Sequence, residues 1–593
     1  MIDRKTKLRF RRNVRKGKRQ VEGIGIQAED HLERLFIRRL HRLITVRRFV
    51  LSWLLLVVFL FGASVFQLRA LSDHYLRSAP AEGGVFTEGV IGSFTNANPL
   101  YATGGVDGGV SRLLFSSLLK YDKEGELTND LATSWKADEN GEVYTVTLRQ
   151  DAQWHDGNPV TVEDVVFTYK MIQDPNTQSP LFPGWRDVKI EAVNDEQIKF
   201  TLPNVFAAFP HSLTNGIIPE HILGEVSADQ MRSDQFNTVR PVGSGPFEWE
   251  AVEVSGDNPE ERQEQISLTR NEAYYDGAPK LRRFVVKTFR EESVMLESYQ
   301  DREIMAMSGL SNIPDTIESD GLSRYSVPQT GAVMVFFKTS EGVLQNKAVR
   351  QALTHAVDVN DVIEQLLEPV IRVDSPLLRG QLGYDEELTQ REYDLKKARK
   401  ILSENGWEKG EDGIMIKGER RLEFNLKAPS SSEFTIVSGK LQEYWRELGA
   451  EVTVDQPDDP ELQSIVSLHQ YEAVMYSVSI GKDPDVFAFW HSSQADVRAE
   501  NRLNLSEYQS TEADQSLEGG RTRVNPKLRA VKYQPFLQAW RNDAPALALY
   551  QPQYLYVARE AIGSFDPQVL HDPNDRYGNV HDWTIKTRKI HKN

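Results

Sequence analysis

The chain has 593 residues, 40% apolar and 26% charged, with no cysteine. It is too long for a single core and has room for roughly three or four domain-sized units. The missing cysteines exclude a disulfide framework, a thiolate metal site, a cysteine nucleophile and a lipid-modified N-terminal cysteine. The net charge of −16 is uneven: residues 1–48 carry 16 Lys and Arg against 5 Asp and Glu, a balance of +11, which leaves −27 for the remainder. A basic head on an acidic body argues against nucleic acid as a partner of the main domain.

The first 20 residues read as a disordered basic tail. Leu32, Leu35, Phe36, Leu40, Leu43 and Ile44 then recur at helical spacing with Arg34, Arg38, Arg39 and Arg42 between them, a pattern suited to an anionic membrane surface. The 20 residues from Phe49 to Leu68 carry no charge. At about 1.5 Å rise per residue such a helix matches a hydrocarbon core of about 30 Å. Basic residues before the run far outnumber those after it, so the head is expected in the cytoplasm and the rest outside the cell. The 48-residue lead and the length of the apolar run favour an uncleaved anchor over a signal peptide. Residues 69–84 read as a linker.

Beyond the linker, strand and helix patterns alternate. Tyr144, Val146 and Leu148 mark one strand and Ile198, Phe200 and Leu202 another. Thr161 caps a helix with Asp164 at its third position, and that helix stops before Pro175. A second helix carries Val349, Ala352, Leu353, Ala356 and Val357. Asp394 opens a third, which Asn405-Gly406 ends. Strand–helix alternation over several hundred residues predicts α/β lobes.

No nucleophile elbow, Walker loop, zinc-protease motif or dinucleotide fingerprint is present. The twelve histidines do not cluster at metal spacing. His155, in Trp154-His155-Asp156-Gly157, reads as a turn residue that ties down a loop. His491 reads as a polar binding or structural residue, and Asp483-Pro484-Asp485 as a cap and turn. Nothing supplies a nucleophile, a base and an orienting group together, so a binder is expected, with no catalytic residue, no metal and no cofactor.

Several ordered segments carry a resemblance: NPL (98–100), LLFSSLLKYDKEGELTNDLATSW (113–135), YTVTLRQDAQWHDGNPVTVEDVVFT (144–168), GSGPF (243–247), LTRNEAYYDGAPKL (268–281), KAVRQALTHAVDVNDVI (347–363), YDLKKARKILSENGW (393–407) and DAPALALYQ (543–551). Over residues 85–560 the chain resembles the bacterial family 5 extracellular solute-binding proteins, the dipeptide, oligopeptide and nickel group of ABC importers. Val162 stands where alanine is usual.

The resemblance implies a periplasmic-binding-protein-like α/β fold: two lobes joined by two crossing strands, with an extra domain inserted in the first. The crossings are expected near GAVMVFF (331–337) and ALALYQPQYLYVA (546–558), giving a first lobe over 85–332, a second over 333–547 and a return over 548–593. It implies a peptide or peptide-like ligand held by closure of the lobes and permease subunits of an importer as partners. The protein would sit in the cell membrane by one span, its main domain extracellular or periplasmic. Carried over by position, ligand contacts fall on Tyr101, Thr103, Gly104 and Val106 of the first lobe, and on Tyr476, Ser477, Val478, Asp483, Asp485, Trp490 and His491 of the second. The aspartate that often holds a peptide's α-amino group would fall at Ile480, so Asp483 or Asp485 must substitute or the ligand lacks that anchor. A receptor module signalling through a partner, and a binder of a metal chelate or sugar, are the alternatives.

Overall fold

The run GAVMVFF is buried at every position because the strand Gly331–Phe337 lies inside a sheet covered on both faces. Val333, Val335 and Phe337 enter one apolar cluster with Leu353, Leu441 and Trp445. Ala332, Met334 and Phe336 enter another with Trp490, Phe536 and Trp540. The helices Lys347–His355, Leu395–Glu404 and Ser432–Leu448 supply the first cover, and Thr511–Arg521 and Pro526–Asp543 the second. This sheet has six strands in the order Ile371–Arg372, Ala546–Gln551, Gly331–Phe337, Ala473–Ser479, Glu423–Lys427 and Glu451–Asp455.

The computed structural model describes residues 47–256, 262–310, 312, 322–367, 370–496, 498–499 and 502–591. Residues 80–586 form one compact unit. The helix Arg47–Tyr75 belongs to a second unit and contains the uncharged run. Its described side chains, Phe49 and residues 51–67, are all exposed. Among the described residues no helix is long and apolar enough to cross a membrane. The basic head and its amphipathic stretch lie outside the described residues.

Within the larger unit a seven-stranded sheet forms the first lobe, ordered Ser323–Pro328, Gln553–Ala558, Ala306–Ser308, Val85–Ile91, Arg283–Phe289, Gln263–Arg270 and Phe247–Ser255. Val85–Ile91 runs parallel to both of its neighbours. Between Val85–Ile91 and Phe247–Ser255 the chain builds a separate antiparallel sheet from Ala132–Ala137, Val143–Leu148, Gln197–Thr201 and Lys189–Asn194. The expected alternation appears there, since Tyr144, Val146 and Leu148 are buried and their neighbours are half-buried. Thr161 and Asp164 form the expected reciprocal cap of the helix Val162–Gln173. Asp394 accepts the Lys397 N–H at the start of Leu395–Glu404, and Gly406 follows that helix at φ +81°.

Two crossings join the sheets. Gln329 and Thr330 link Ser323–Pro328 to Gly331–Phe337, and Pro552 links Ala546–Gln551 to Gln553–Ala558. The passages thus lie at 329–330, just before the GAVMVFF run, and at 552, within the 546–558 run. Pro552 has no N–H for either ladder, which explains the break. Its carbonyl accepts from the Gln329 N–H at 3.0 Å. Gly331 is required beside it, because a Cβ there would stand 2.8 Å from the Val478 carbonyl oxygen.

Two further ties fix loops of the first lobe. Glu88, on the central strand, is buried and pairs with the buried Arg576 at 2.6 Å, and the Tyr577 hydroxyl donates to its other oxygen at 2.9 Å. This fastens the segment Pro573–Asp582 to the sheet, and removal of one partner of such a pair costs about 3–5 kcal/mol. His155 performs the loop tie read from the sequence: its Nδ1 accepts from the Gly243 N–H at 3.1 Å and its Nε2 donates to the Gly245 carbonyl at 3.1 Å. Gly243 fits there only without a side chain, since a Cβ would lie 1.8 Å from the Leu114 carbonyl oxygen.

Burial pushes the His155 pKa down to about 4, against its ordinary 6.5, although the Gly245 carbonyl and Asp156 act in the other direction. The unfolded chain therefore takes up a proton below pH 6.5 that the folded chain refuses until about pH 4. Stability from this group is complete above pH 6.5 and declines as the pH falls to 4. Urea unfolding should lose about 3 kcal/mol across that window on account of His155. His155→Asn should be less stable at pH 7 but show a shallower decline between pH 6.5 and 4.

Candidate functional site

The two lobes also touch outside the crossings, along a rim. Lys482 of the second lobe pairs with Glu126 of the first at 2.6 Å. The Ala207 N–H donates to the Arg521 carbonyl at 3.0 Å, and the Arg521 guanidinium carbon lies 5.0 Å from the centroid of the Phe206 ring. A cavity of about 510 Å³ is recessed into the first lobe, lined among others by Thr103, Arg112, Trp185, His211, Asp572 and Asn574.

The cavity wall combines distant segments. The helix Gly105–Leu114 brings Arg112, whose Nη1 donates to the Thr214 carbonyl at 2.9 Å and whose Nη2 donates to Asp575 at 3.1 Å. Asn574 donates to the Gly105 carbonyl at 3.2 Å across 469 residues of sequence. Burial pushes the Asp572 carboxyl above its usual range. It pushes His211 below its usual value, so the ring is neutral at pH 7. The Tyr121 hydroxyl bonds His211 Nδ1 at 2.8 Å, and the Tyr121 ring lies 4.0 Å from that of His571. His211 and Tyr121 both feel the charge of Asp483, which places this wall opposite the second lobe's charged cluster.

That cluster is the pair of aspartates singled out in the sequence, and both are engaged. Arg529 forms a two-pronged contact with Asp483, at 2.5 Å to each oxygen. Arg521 holds Asp485 at 3.1 Å. The Asp485 N–H also donates to Asp483 at 2.9 Å, closing the turn expected there. Burial raises the Asp485 pKa, and Arg521 works against that rise. Ile480 is 7% exposed and packs into the second lobe's apolar cluster. Asp483 is paired through both oxygens, whereas Asp485 is paired through Oδ2 alone and its buried Oδ1 has no hydrogen-bond partner among the described residues.

The remaining residues carried over from the family pattern divide. Thr103 lines the cavity. Tyr101 is half-buried with its hydroxyl on the Thr177 carbonyl at 3.0 Å, and burial pushes its pKa up to about 12, against the lowering effect of Arg232. Gly104 caps the helix Gly105–Leu114 in extended backbone, and Val106 is buried in the core. On the strand Ala473–Ser479, Tyr476 is half-buried, Ser477 exposed and Val478 buried. Trp490 is 2% exposed and packs on Phe336 and Trp540, leaving no ring face for a ligand. His491 is buried, accepts the Ser493 N–H at 3.1 Å and stacks on Phe487 at 4.0 Å. Sequence reasoning missed Arg112, Tyr121, His211, Asp572, Asn574, Arg521 and Arg529. No local pattern marks them, because they meet only through long-range folding.

One backbone feature completes the site. Only Ala473 and Val474 of the strand Ala473–Ser479 pair with Glu423–Lys427. Among the described residues, Met475–Ser479 have a neighbouring strand on one side only, Gly331–Phe337. An open edge offers backbone donors and acceptors to an extended chain.

Comparison with known proteins bears on this geometry. Residues 126–499 match the family model described as bacterial extracellular solute-binding proteins, family 5 middle. The oligopeptide-binding protein AppA of Bacillus subtilis (strain 168) is 26% identical over 550 residues, which is 90% of this chain and 97% of that protein. Its structure in complex with a nonapeptide superposes with a TM-score of 0.67 at 25% identity, covering 86% of this chain and 100% of that one. NikZ from Campylobacter jejuni, solved with Ni(L-His), shares the fold with a TM-score of 0.70 at 24% identity, over 84% of this chain and 99% of its own.

If the Asp483–Arg529 pair is structural, Asp483→Asn leaves a guanidinium 7% exposed without its counter-charge. Chemical unfolding should then show a loss of about 3 kcal/mol. An aspartate that served the ligand alone would leave the unfolding midpoint unchanged.

Proposed function

Because this chain belongs to the bacterial family 5 extracellular solute-binding proteins, we propose that it captures peptides or peptide-like solutes between its lobes and presents them to the permease subunits of an ABC importer. The observation that carries this reading is the open edge Met475–Ser479, on the lobe that meets the cavity-bearing lobe at the rim. An extended peptide pairs with such an edge through its backbone, which leaves its side chains to a roomy cavity and tolerates varied sequences. The ligand touches both lobes only when they close, so it stabilises the closed state by the difference in affinity between the two states. Such a cycle needs binding and release but no catalytic group, so we read the protein as a binder and not an enzyme.

The engaged aspartates refine the ligand. With Asp483 paired through both oxygens to Arg529, Asp485 held by Arg521 through Oδ2 and Ile480 in the core, the second lobe keeps only the buried Asp485 Oδ1 unpaired at this turn. A longer peptide whose ends lie elsewhere, or one with a blocked amino terminus, suits this arrangement. Native mass spectrometry of the purified full chain should find retained peptides. In calorimetry, N-acetylation of a bound peptide should change Kd by less than about threefold, whereas loss of a charge-assisted bond to an ammonium costs about 1.5–3 kcal/mol, or tenfold and more. A large loss on acetylation would refute the anchor-free reading.

We further read the protein as tethered to the cell membrane by its N-terminal helix, with the binding unit outside. The uncharged run Phe49–Leu68, its exposed apolar side chains and the basic residues before it support this. The full chain should stay with membranes after an alkaline carbonate wash, and deletion of residues 49–68 should release it. A full chain washed off like a peripheral protein would sink the anchor.

A further inference from the structure

Arg521 ends the helix Thr511–Arg521 of the second lobe, yet its contacts reach into the first. Its guanidinium carbon lies 4.2 Å from the Phe487 ring centroid in its own lobe and 5.0 Å from the Phe206 ring centroid in the other. Cations over aromatic faces are attracted by the ring quadrupole, more strongly when partly desolvated. The assembly is braced on both sides. Asp485 holds the guanidinium through Nε and Nη2, each at 3.1 Å, and His491 stacks behind Phe487 with the rings 16° from parallel. On the first lobe, the Tyr144 hydroxyl donates to the Phe206 carbonyl at 3.3 Å, and the next residue, Ala207, donates its N–H to the Arg521 carbonyl. None of Phe206, Ala207, Asp485, Phe487 and Arg521 lines the cavity.

We infer that Arg521, set between Phe206 and Phe487, is a latch that holds the lobes closed without touching the ligand, and so is a positioning residue for binding. It rests on the lobe closure of the proposed function and not on the identity of the ligand. The cation–ring contact to Phe206 and the Ala207 bond cross the lobe boundary, so both are lost on opening. Asp485 and Phe487 stay with Arg521 in either state and keep its side chain aimed. The exposed Lys482–Glu126 pair adds little, as surface ion pairs do. A latch of this kind raises the closed fraction of the empty protein, and apparent affinity scales with that fraction. Asp483 and Asp485 then gain a role apart from ligand anchoring: they pin the two arginines that face the first lobe.

The chain has no cysteine, so one can be placed in each lobe at exposed Asp195 and Glu411 and labelled for single-molecule energy transfer in the full-length protein in nanodiscs, without ligand. The unsubstituted protein should show a closed population exchanging with an open one. Phe206→Leu, which keeps Asp485 paired, and Arg521→Met should each reduce the closed-to-open ratio by about threefold or more. Equal ratios in the unsubstituted protein and both variants overturn the latch. A single invariant distance in all three proteins overturns the closing motion itself, and with it the capture mechanism. Failure of the peptide reading appears elsewhere, as absence of bound peptide in a protein whose lobes still open and close.

Discussion

The double crossing between the two sheets is the constraint on which the rest of the structure depends. The chain passes from one sheet to the other at Gln329–Thr330 and returns at Pro552, and the two passages are bonded to each other. Thr330 holds both sides at once. Its N–H donates to the Leu570 carbonyl in the first lobe, while its own carbonyl accepts the N–H groups of Ile480 and Gly481 in the second, each at 2.9 Å. Its hydroxyl meets His571 Nδ1 at 2.8 Å, and His571 Nε2 donates to the Gly125 carbonyl at 2.9 Å. The turn that follows the open strand edge is thus fixed to the same residue from which the lobes pivot. A change of angle at the crossing moves that edge relative to the cavity.

The charge arrangement follows from this geometry. Asp483 and Asp485 stand just past Ile480 and Gly481, at the point where the second lobe faces the first. Left bare in a closing cleft, two carboxylates so near each other would repel and lose solvation. Arg529 and Arg521 neutralise them within their own lobe, which lets the surfaces approach. The same neutralisation removes a ready anchor for a cationic ligand end. In the proposed binding mode, selection of ligand rests on backbone pairing and on the shape of the cavity beside Arg112, His211 and Trp185.

Much of the fold was legible in the sequence, because the signals there are local. The capped helix at Thr161, the helix opened by Asp394 and closed by Asn405-Gly406, and the alternation at Tyr144, Val146 and Leu148 all depend on neighbours within a few residues. The apolar runs at 331–337 and 546–558 mark the neighbourhood of the crossings, but an apolar run shows that a strand is buried and not which sheet it joins. Pro552 was the available marker for the second break. The site was far less legible. Trp490, carried over as a ligand contact from the family pattern, is buried because Phe336 and Trp540 arrive from strands and helices far along the chain. Arg112, Asp572 and Asn574 share a wall only because Glu88 and Arg576 bring the last segment of the chain back to the first strand.

In the proposed cycle a guest molecule draws the two lobes together over the first-lobe cavity. Small-angle X-ray scattering of the binding unit, stripped of ligand by partial unfolding and refolded, tests it directly when peptides recovered from the native protein are added back. Closure on the guest should give a two-state fall in radius of gyration that saturates with binding and reverses on removal of the peptides. A radius of gyration that stays constant through saturation would contradict it.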